Sequence, residues 1–230
     1  ALGIPAARLA PLFRDIREGA IERLLKANGL LAKAAYVKVV VTRGEDIRRG
    51  LAPGASMEPT VIMTAGPLDE KAIRLMRTKG VRAVLVKGLH PAMPGIKTLN
   101  YLPSVLARME ARKAGVEEAV FTAPDGALLE AAGANLFIVE RGVIKTPPLN
   151  ANPFLPGVLP GVTRKAVIDI AGKLGIRVMA ARLPEDGLRR CGEAFLTNST
   201  CGVVPLVSVD SVKVADGRPG PVTRGLQRHL

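Results

Sequence analysis

Glycine stops divide the first 90 residues into alternating helical and Val-rich segments, and this alternation narrows the possible folds more than any other feature. Phe13 to Asn28 carries Ile16, Ala20, Ile21 and Leu24 at helical spacing and stops at Gly29. Tyr36 to Thr42 is Val-rich and predicts a buried strand. The polar, Gly/Pro-rich run from Arg43 to Pro59 predicts a loop, and Thr60 to Ala65 a second strand. Leu68 to Lys79 predicts a helix closed by Gly80, followed by a strand over Val81 to Lys87. Helix and strand in alternation point to an α/β unit.

Gly88 to Gly95 contains two prolines and two glycines and is the best linker candidate. It divides the chain into a small N-terminal α/β domain, 1–92, and a larger domain, 93–230. Beyond it the pattern changes. A helix is predicted over Leu102 to Gly115, with short strands at Ala119 to Thr122, Leu136 to Val139 and Val143 to Lys145. Another helix, Thr163 to Leu174, closes at Gly175, and strands follow near Arg177 to Ala181, Ala194 to Thr197 and Leu206 to Val209. Aromatic residues make up 3% of the chain and Trp is absent, so Leu, Val, Ile and Ala must fill the cores.

Charge and cysteine content bear on function class. The net charge of +13 could serve phosphate contacts, but the basic residues are spread along the chain, and aromatics for base stacking are nearly absent. A solvated basic surface is the expected reading, and no nucleic-acid partner is expected. Mild attraction of anionic small molecules is a third possibility. No apolar run approaches the roughly 20 residues of a membrane span. Cys191 and Cys201, with only His90 and His229 beside them, offer no metal-ligand spacing. A cytoplasmic location is the default expectation.

Candidate chemistry lies where charge is missing. Between His90 and Arg108 the only charged residue is Lys97, and between Asp125 and Glu140 the only one is Glu130. Lys145 to Arg164 and Glu193 to Asp210 enclose no charge at all. In a chain with 23% charged residues such windows mark buried or cleft-lining segments, where a lone ionisable group is unfavourable unless paired or used. The plain alternative is that Lys97 and Glu130 reach solvent from strand ends. A lysine in an apolar setting has a lowered pKa and can form a Schiff base, while a lone carboxylate can hold a ring nitrogen protonated. In the third window Leu159-Pro160-Gly161-Val162-Thr163-Arg164 opens a helix, whose free N–H groups can bind an anion or simply be capped. In the fourth, Thr197-Asn198-Ser199-Thr200-Cys201-Gly202 is a small hydroxylated turn, able to offer donors to a phosphate or carboxylate, or an ordinary Ser/Thr turn.

At these windows the chain resembles the class IV aminotransferase family, the fold-type IV pyridoxal-phosphate (PLP) enzymes, which include branched-chain and D-amino acid aminotransferases and aminodeoxychorismate lyases. The stretches that carry the resemblance are Gly95 to Leu102, Glu130 to Phe137, Thr146 to Leu149, Leu159 to Arg164 and Gly220 to Thr223. The resemblance implies a two-domain α/β (α+β) fold with a mixed sheet or barrel in the C-terminal domain, and commonly a homodimer. It implies Lys97 as the Schiff-base lysine and proton shuttle, and Glu130 as the carboxylate on the pyridine nitrogen. Val162 and Thr163 match the phosphate-binding helix N-terminus, and Ser199 and Thr200 the turn that completes that site. Thr200 and Cys201 fall beside the substrate carboxylate. Tyr101 matches a tyrosine near the PLP hydroxyl, at a spacing from the lysine that differs from the branched-chain enzymes.

Two departures shape the expectations. Family members begin with a longer segment that carries a phosphate-binding Arg, and Ala1 to Pro5 resembles the residues just after it. Leu12-Phe13-Arg14 lies too close to the Tyr36 strand to supply that Arg and is expected on a surface helix. The turn at Asn198 to Gly202 is closer to aminodeoxychorismate lyases, whereas the Glu130 stretch and the C-terminal residues lean toward branched-chain aminotransferases. The expected reaction is transfer of an amino group between an amino acid and a 2-oxo acid. The alternative is release of pyruvate from aminodeoxychorismate.

Overall fold

A computed structural model describes residues 3–46, 52, 54, 57–150 and 157–230. Part of the loop expected at Arg43 to Pro59, and 151–156 of the third charge-free window, lie outside the described residues. The chain divides into two compact units, Ala1–Glu70 and Lys71–Leu230.

The first unit holds helices α1 (Ala6–Arg17) and α2 (Ala20–Ala27) and strands β1 (Ala35–Val41) and β2 (Val61–Pro67). The single helix expected over Phe13 to Asn28 is broken at Gly19, whose φ of 85° belongs to the left-handed region and ends the helical run. Arg14 lies exposed on α1. β1 and β2 pair antiparallel, from Ala35 opposite Pro67 to Val41 opposite Val61. The Tyr36 ring covers Gly66 across the pair, so close that a Cβ there would stand 2.7 Å from the ring. β1 is not the buried strand expected from its valines, since Tyr36 and Val39 are exposed. Each strand of a two-stranded sheet has one neighbour, and of the helices α2 packs against β2.

The second unit is built on a ten-stranded mixed sheet. After α3 (Glu70–Lys79) the chain forms β3 (Val81–Val86), α4 (Leu102–Lys113), β4 (Glu118–Thr122), β5 (Ala127–Ala131), β6 (Asn135–Glu140) and β7 (Val143–Thr146). It continues through α5 (Val162–Lys173), β8 (Val178–Ala180), β9 (Leu183–Pro184), α6 (Gly187–Arg190), β10 (Glu193–Asn198), β11 (Gly202–Val209), β12 (Val212–Lys213) and α7 (Pro221–His229). The strand order is β8-β7-β6-β10-β11-β3-β4-β5-β9, with β12 on β11. The division expected at residue 92 is not where the units part. β3 pairs parallel with both β11 and β4, so it belongs to the large sheet and Gly88 to Gly95 runs within the second unit.

The core of this unit follows from the strands. β6 and β10 pair with Phe137 opposite Phe195, and their rings stack at 4.8 Å. Val167 and Ala171 of α5 and Leu226 of α7 pack with them. On another part of the sheet, Ala107 and Ala111 of α4 pack against Val86 and Phe121. α7 is anchored by Glu193, a buried carboxylate at the start of β10. It accepts the N–H groups of Val222 at 2.9 Å and Thr223 at 2.8 Å, and the Thr223 hydroxyl at 2.7 Å. These are first-turn donors that a helix cannot satisfy itself. Gly220 must lack a side chain, because a Cβ there would lie 2.1 Å from the Glu193 carboxyl carbon.

Candidate active site

The cavity lies within the second unit, among the 91–104 segment, the β5–β6 turn, the N-terminus of α5 and the end of β10. Its volume is about 410 Å³, inside the usual range for small-molecule sites. Lys97, Tyr101, Glu130, Val162, Thr163 and Ser199 all line it.

Glu130 is the penultimate residue of β5 and is buried. Its Oε2 accepts the Asn135 Nδ2 amide at 3.0 Å and the Leu159 N–H at 3.0 Å. Among the described residues no hydrogen bond reaches Oε1. Burial pushes this carboxyl up from the ordinary 4.5 to about 7, against the Leu159 N–H and the charges of Lys97 and Arg164. Arg164, in the first turn of α5, is itself buried, and desolvation lowers its pKa while Glu130 raises it. Its Nη2 donates to the Pro147 carbonyl at 3.2 Å.

The raised carboxyl pKa has a measurable sign. Between pH 4.5 and about 7 the folded, cofactor-free protein holds a proton on Glu130 that the unfolded chain has lost. Stability therefore falls as pH rises through that window, by about 3 kcal/mol in all. Glu130→Gln removes the titrating group. Urea unfolding at pH 5 and pH 8 should show the wild type losing more stability than the variant by about that amount. Parallel losses in the two proteins would contradict it.

Lys97 is exposed, a departure from the apolar setting its window suggests. Its Nζ donates to the Tyr101 hydroxyl at 3.2 Å, so the four-residue spacing does bring amine and phenol together. At the opposite wall, α5 begins from Gly161 with extended backbone and no side-chain cap. The first intrahelical donor is Lys165, to the Gly161 carbonyl at 3.0 Å. Among the described residues, the N–H groups of Val162, Thr163 and Arg164 make no hydrogen bond, which leaves the amide cluster that suits an anion.

The β10–β11 turn is shaped by Asn198, whose Oδ1 accepts the N–H groups of Thr200 at 3.0 Å and Cys201 at 2.7 Å. Ser199 lines the cavity, whereas Thr200 and Cys201 do not. Cys201 borders a neighbouring groove with Met76 and Met109. The backbone N–H groups of Thr200 and Cys201 are already used by Asn198 and are not free to donate to a ligand. Asn135 and Thr197 also line the cavity, and the Thr197 hydroxyl is buried with no hydrogen-bond partner among the described residues. Both fall inside stretches that the sequence marks, Asn135 in Glu130 to Phe137 and Thr197 at the head of the fourth window, but neither has a site role of its own there. A polar residue inside a charge-free apolar run is the signal that could find both. Among the described residues no three His, Cys, Asp or Glu side chains gather as a metal site.

In fold, the chain is similar to the branched-chain amino acid aminotransferase of Escherichia coli. The TM-score is 0.79 at 31% identity, covering 96% of this chain and 75% of that one. It is similar also to a T.th. branched-chain amino acid aminotransferase solved with pyridoxamine 5′-phosphate, at TM-score 0.77 and 32% identity, over 92% of this chain and 68% of that one. Both neighbours are aminotransferases, and the sequence narrows the class. Residues 6–209 match the family described as Amino-transferase class IV. A protein of Methanocaldococcus jannaschii, provisionally named a branched-chain-amino-acid aminotransferase, is 36% identical over 222 residues, 94% of this chain and 73% of that protein. The chain belongs to the class IV aminotransferases.

Proposed function

We propose that this aminotransferase uses pyridoxal 5′-phosphate held by Lys97 to move an amino group between a branched-chain amino acid and a 2-oxo acid. The observation that carries the reading is Glu130. One of its oxygens is clamped by two donors while the other has no hydrogen bond among the described residues, in a cavity that also presents an amine and a helix N-terminus with no side-chain cap. Those three features match the three demands of this cofactor: a partner for its ring nitrogen, a primary amine for its aldehyde and donors for its phosphate.

When bound, the cofactor supplies an electron sink for the carbanion formed at the substrate α-carbon. The residues do the rest. Lys97 holds the aldehyde and carries the proton removed from the α-carbon. Tyr101 orients the amine from 3.2 Å. Glu130 keeps the ring nitrogen protonated. The amides of Val162 and Thr163, with the Ser199 hydroxyl, hold the phosphate; Thr200 and Cys201 follow Ser199 in the same turn but do not line the cavity, so neither takes a contact there. The names of the relatives support branched-chain substrates.

Two copies are proposed to pair. Leu102, Val105, Leu106 and Met109 form an exposed apolar stripe at i, i+3, i+4 and i+7 along α4, which supports such a contact. A cytoplasmic setting goes with these substrates, and among the described residues no helix is long and apolar enough to cross a membrane.

The test is turnover of the protein with pyridoxal phosphate, a branched-chain amino acid and 2-oxoglutarate, and separately with aminodeoxychorismate. Production of the branched-chain 2-oxo acid and glutamate is expected. Turnover of aminodeoxychorismate alone would replace the aminotransferase reading with a lyase.

A further inference from the structure

Asn135 joins two parts of the cavity that approach it from different elements. It is the first residue of β6, five positions after Glu130, and it is buried. Its Nδ2 donates to Glu130 Oε2 at 3.0 Å and to the Leu159 carbonyl at 2.9 Å. The Leu159 N–H donates at 3.0 Å to the same Glu130 oxygen, and its carbonyl also accepts the Gly161 N–H at 2.8 Å. Carboxylate, amide side chain and the 159–161 turn thus close a ring of hydrogen bonds just ahead of α5. Both atoms around Nδ2 are acceptors, so only a group with two N–H bonds satisfies them; aspartate at this position would place a second carboxylate against Glu130.

Gly161 completes the arrangement. Its φ of −66° is open to any residue, so its lack of a side chain answers a need for space. A Cβ at 161 would stand 2.1 Å from Asn135 Oδ1. The missing methyl is what lets the amide lie flat between Glu130 and Leu159.

Resting on the pyridoxal-phosphate reading above, we propose that Asn135 is a positioning residue that ties the ring-nitrogen carboxylate Glu130 to the phosphate-binding end of α5. One amide thereby sets the distance between the two ends of the cofactor site. Burial of Glu130 is opposed by the Leu159 N–H and by the charges of Lys97 and Arg164. The Asn135 amide, 3.0 Å from the same oxygen, is a second donor to the charged form, and both donors favour it.

The test follows the Glu130 carboxyl directly. Infrared difference titration of the cofactor-free protein, with Glu130→Gln identifying the band, gives its midpoint. Asn135→Ala should raise that midpoint by about one unit. Affinity for pyridoxal phosphate should fall about tenfold further than affinity for pyridoxal, because the phosphate end is displaced from the ring end. Gly161→Ala, which leaves Asn135 in place and adds one methyl, should shift both readouts the same way and keeps the test open should Asn135→Ala fail to fold. In the double variant the collision is gone, so its effect should be no larger than that of Asn135→Ala alone. An unchanged midpoint, equal falls in the two affinities, or additive effects would overturn the proposal. A wild-type protein that binds no pyridoxal phosphate, yet shows the Glu130 shift in the variants, would instead overturn the cofactor reading.

Discussion

Lys97→Ala is expected to lower transamination by at least about three to four orders of magnitude, because one substitution removes both the attachment point and the proton carrier. Lys97 is the only charged residue between His90 and Arg108, and its amine stands at the cavity beside the Tyr101 hydroxyl. The loss should be in kcat, since the phosphate and ring contacts lie on other elements. Borohydride reduction of the wild type with pyridoxal phosphate, followed by peptide mass analysis, should place the label on Lys97. The variant should bind the cofactor but give no reduced adduct. Label on another lysine of the variant, at wild-type yield, would show that a different amine carries it.

The second large effect belongs to Glu130→Gln. Glutamine keeps the shape and can still accept the Asn135 and Leu159 donors through its oxygen. Its other terminus is then an NH₂ group, which cannot accept from a protonated ring nitrogen and stabilises no positive charge there. An electrostatic partner of a developing charge in a dry site is worth roughly 10²- to 10³-fold in kcat. Cofactor affinity should change far less, because the variant leaves the amine and the helix amides untouched. Steady-state kinetics with cofactor titration would check this. Wild-type kcat in the variant would remove Glu130 from the ring nitrogen.

The charge-free windows make the cavity legible in the sequence. Glu130 and Lys97 are visible because isolated charge in an apolar run is rare, and α5 because Pro160 and Gly161 precede a periodic segment. What the sequence hides is decided by pairing and space. β5 escapes a reading of propensities because Ala127 to Ala131 consists of residues that favour helices, and only its partners β4 and β9 make it a strand. Glu193 reads as the edge of a window, yet it is buried and satisfied by α7, a helix that its short, Gly-containing sequence does not announce. Asn135 carries no charge, and Gly161 looks like any helix-entry glycine; their relation exists only as a 2.1 Å approach between a missing Cβ and an amide oxygen. The exposed state of Lys97 is equally hidden, because a neutral neighbourhood in sequence does not fix which way a side chain leaves it.

The parallel pairing of β3 with β11 also governs how the site can come into being. The Leu85 N–H donates to the Asp210 carboxylate, a contact between positions 125 residues apart. The segment that carries Lys97 leaves this same β3, so its anchor waits on a strand made much later in synthesis. Closing so long a loop is entropically unfavourable until the intervening strands are in place, and topologies of this kind fold slowly. The cavity is therefore a late product of folding. A ligand that needs both Lys97 and Glu130 can bind only once the long-range pairing that positions them is in place.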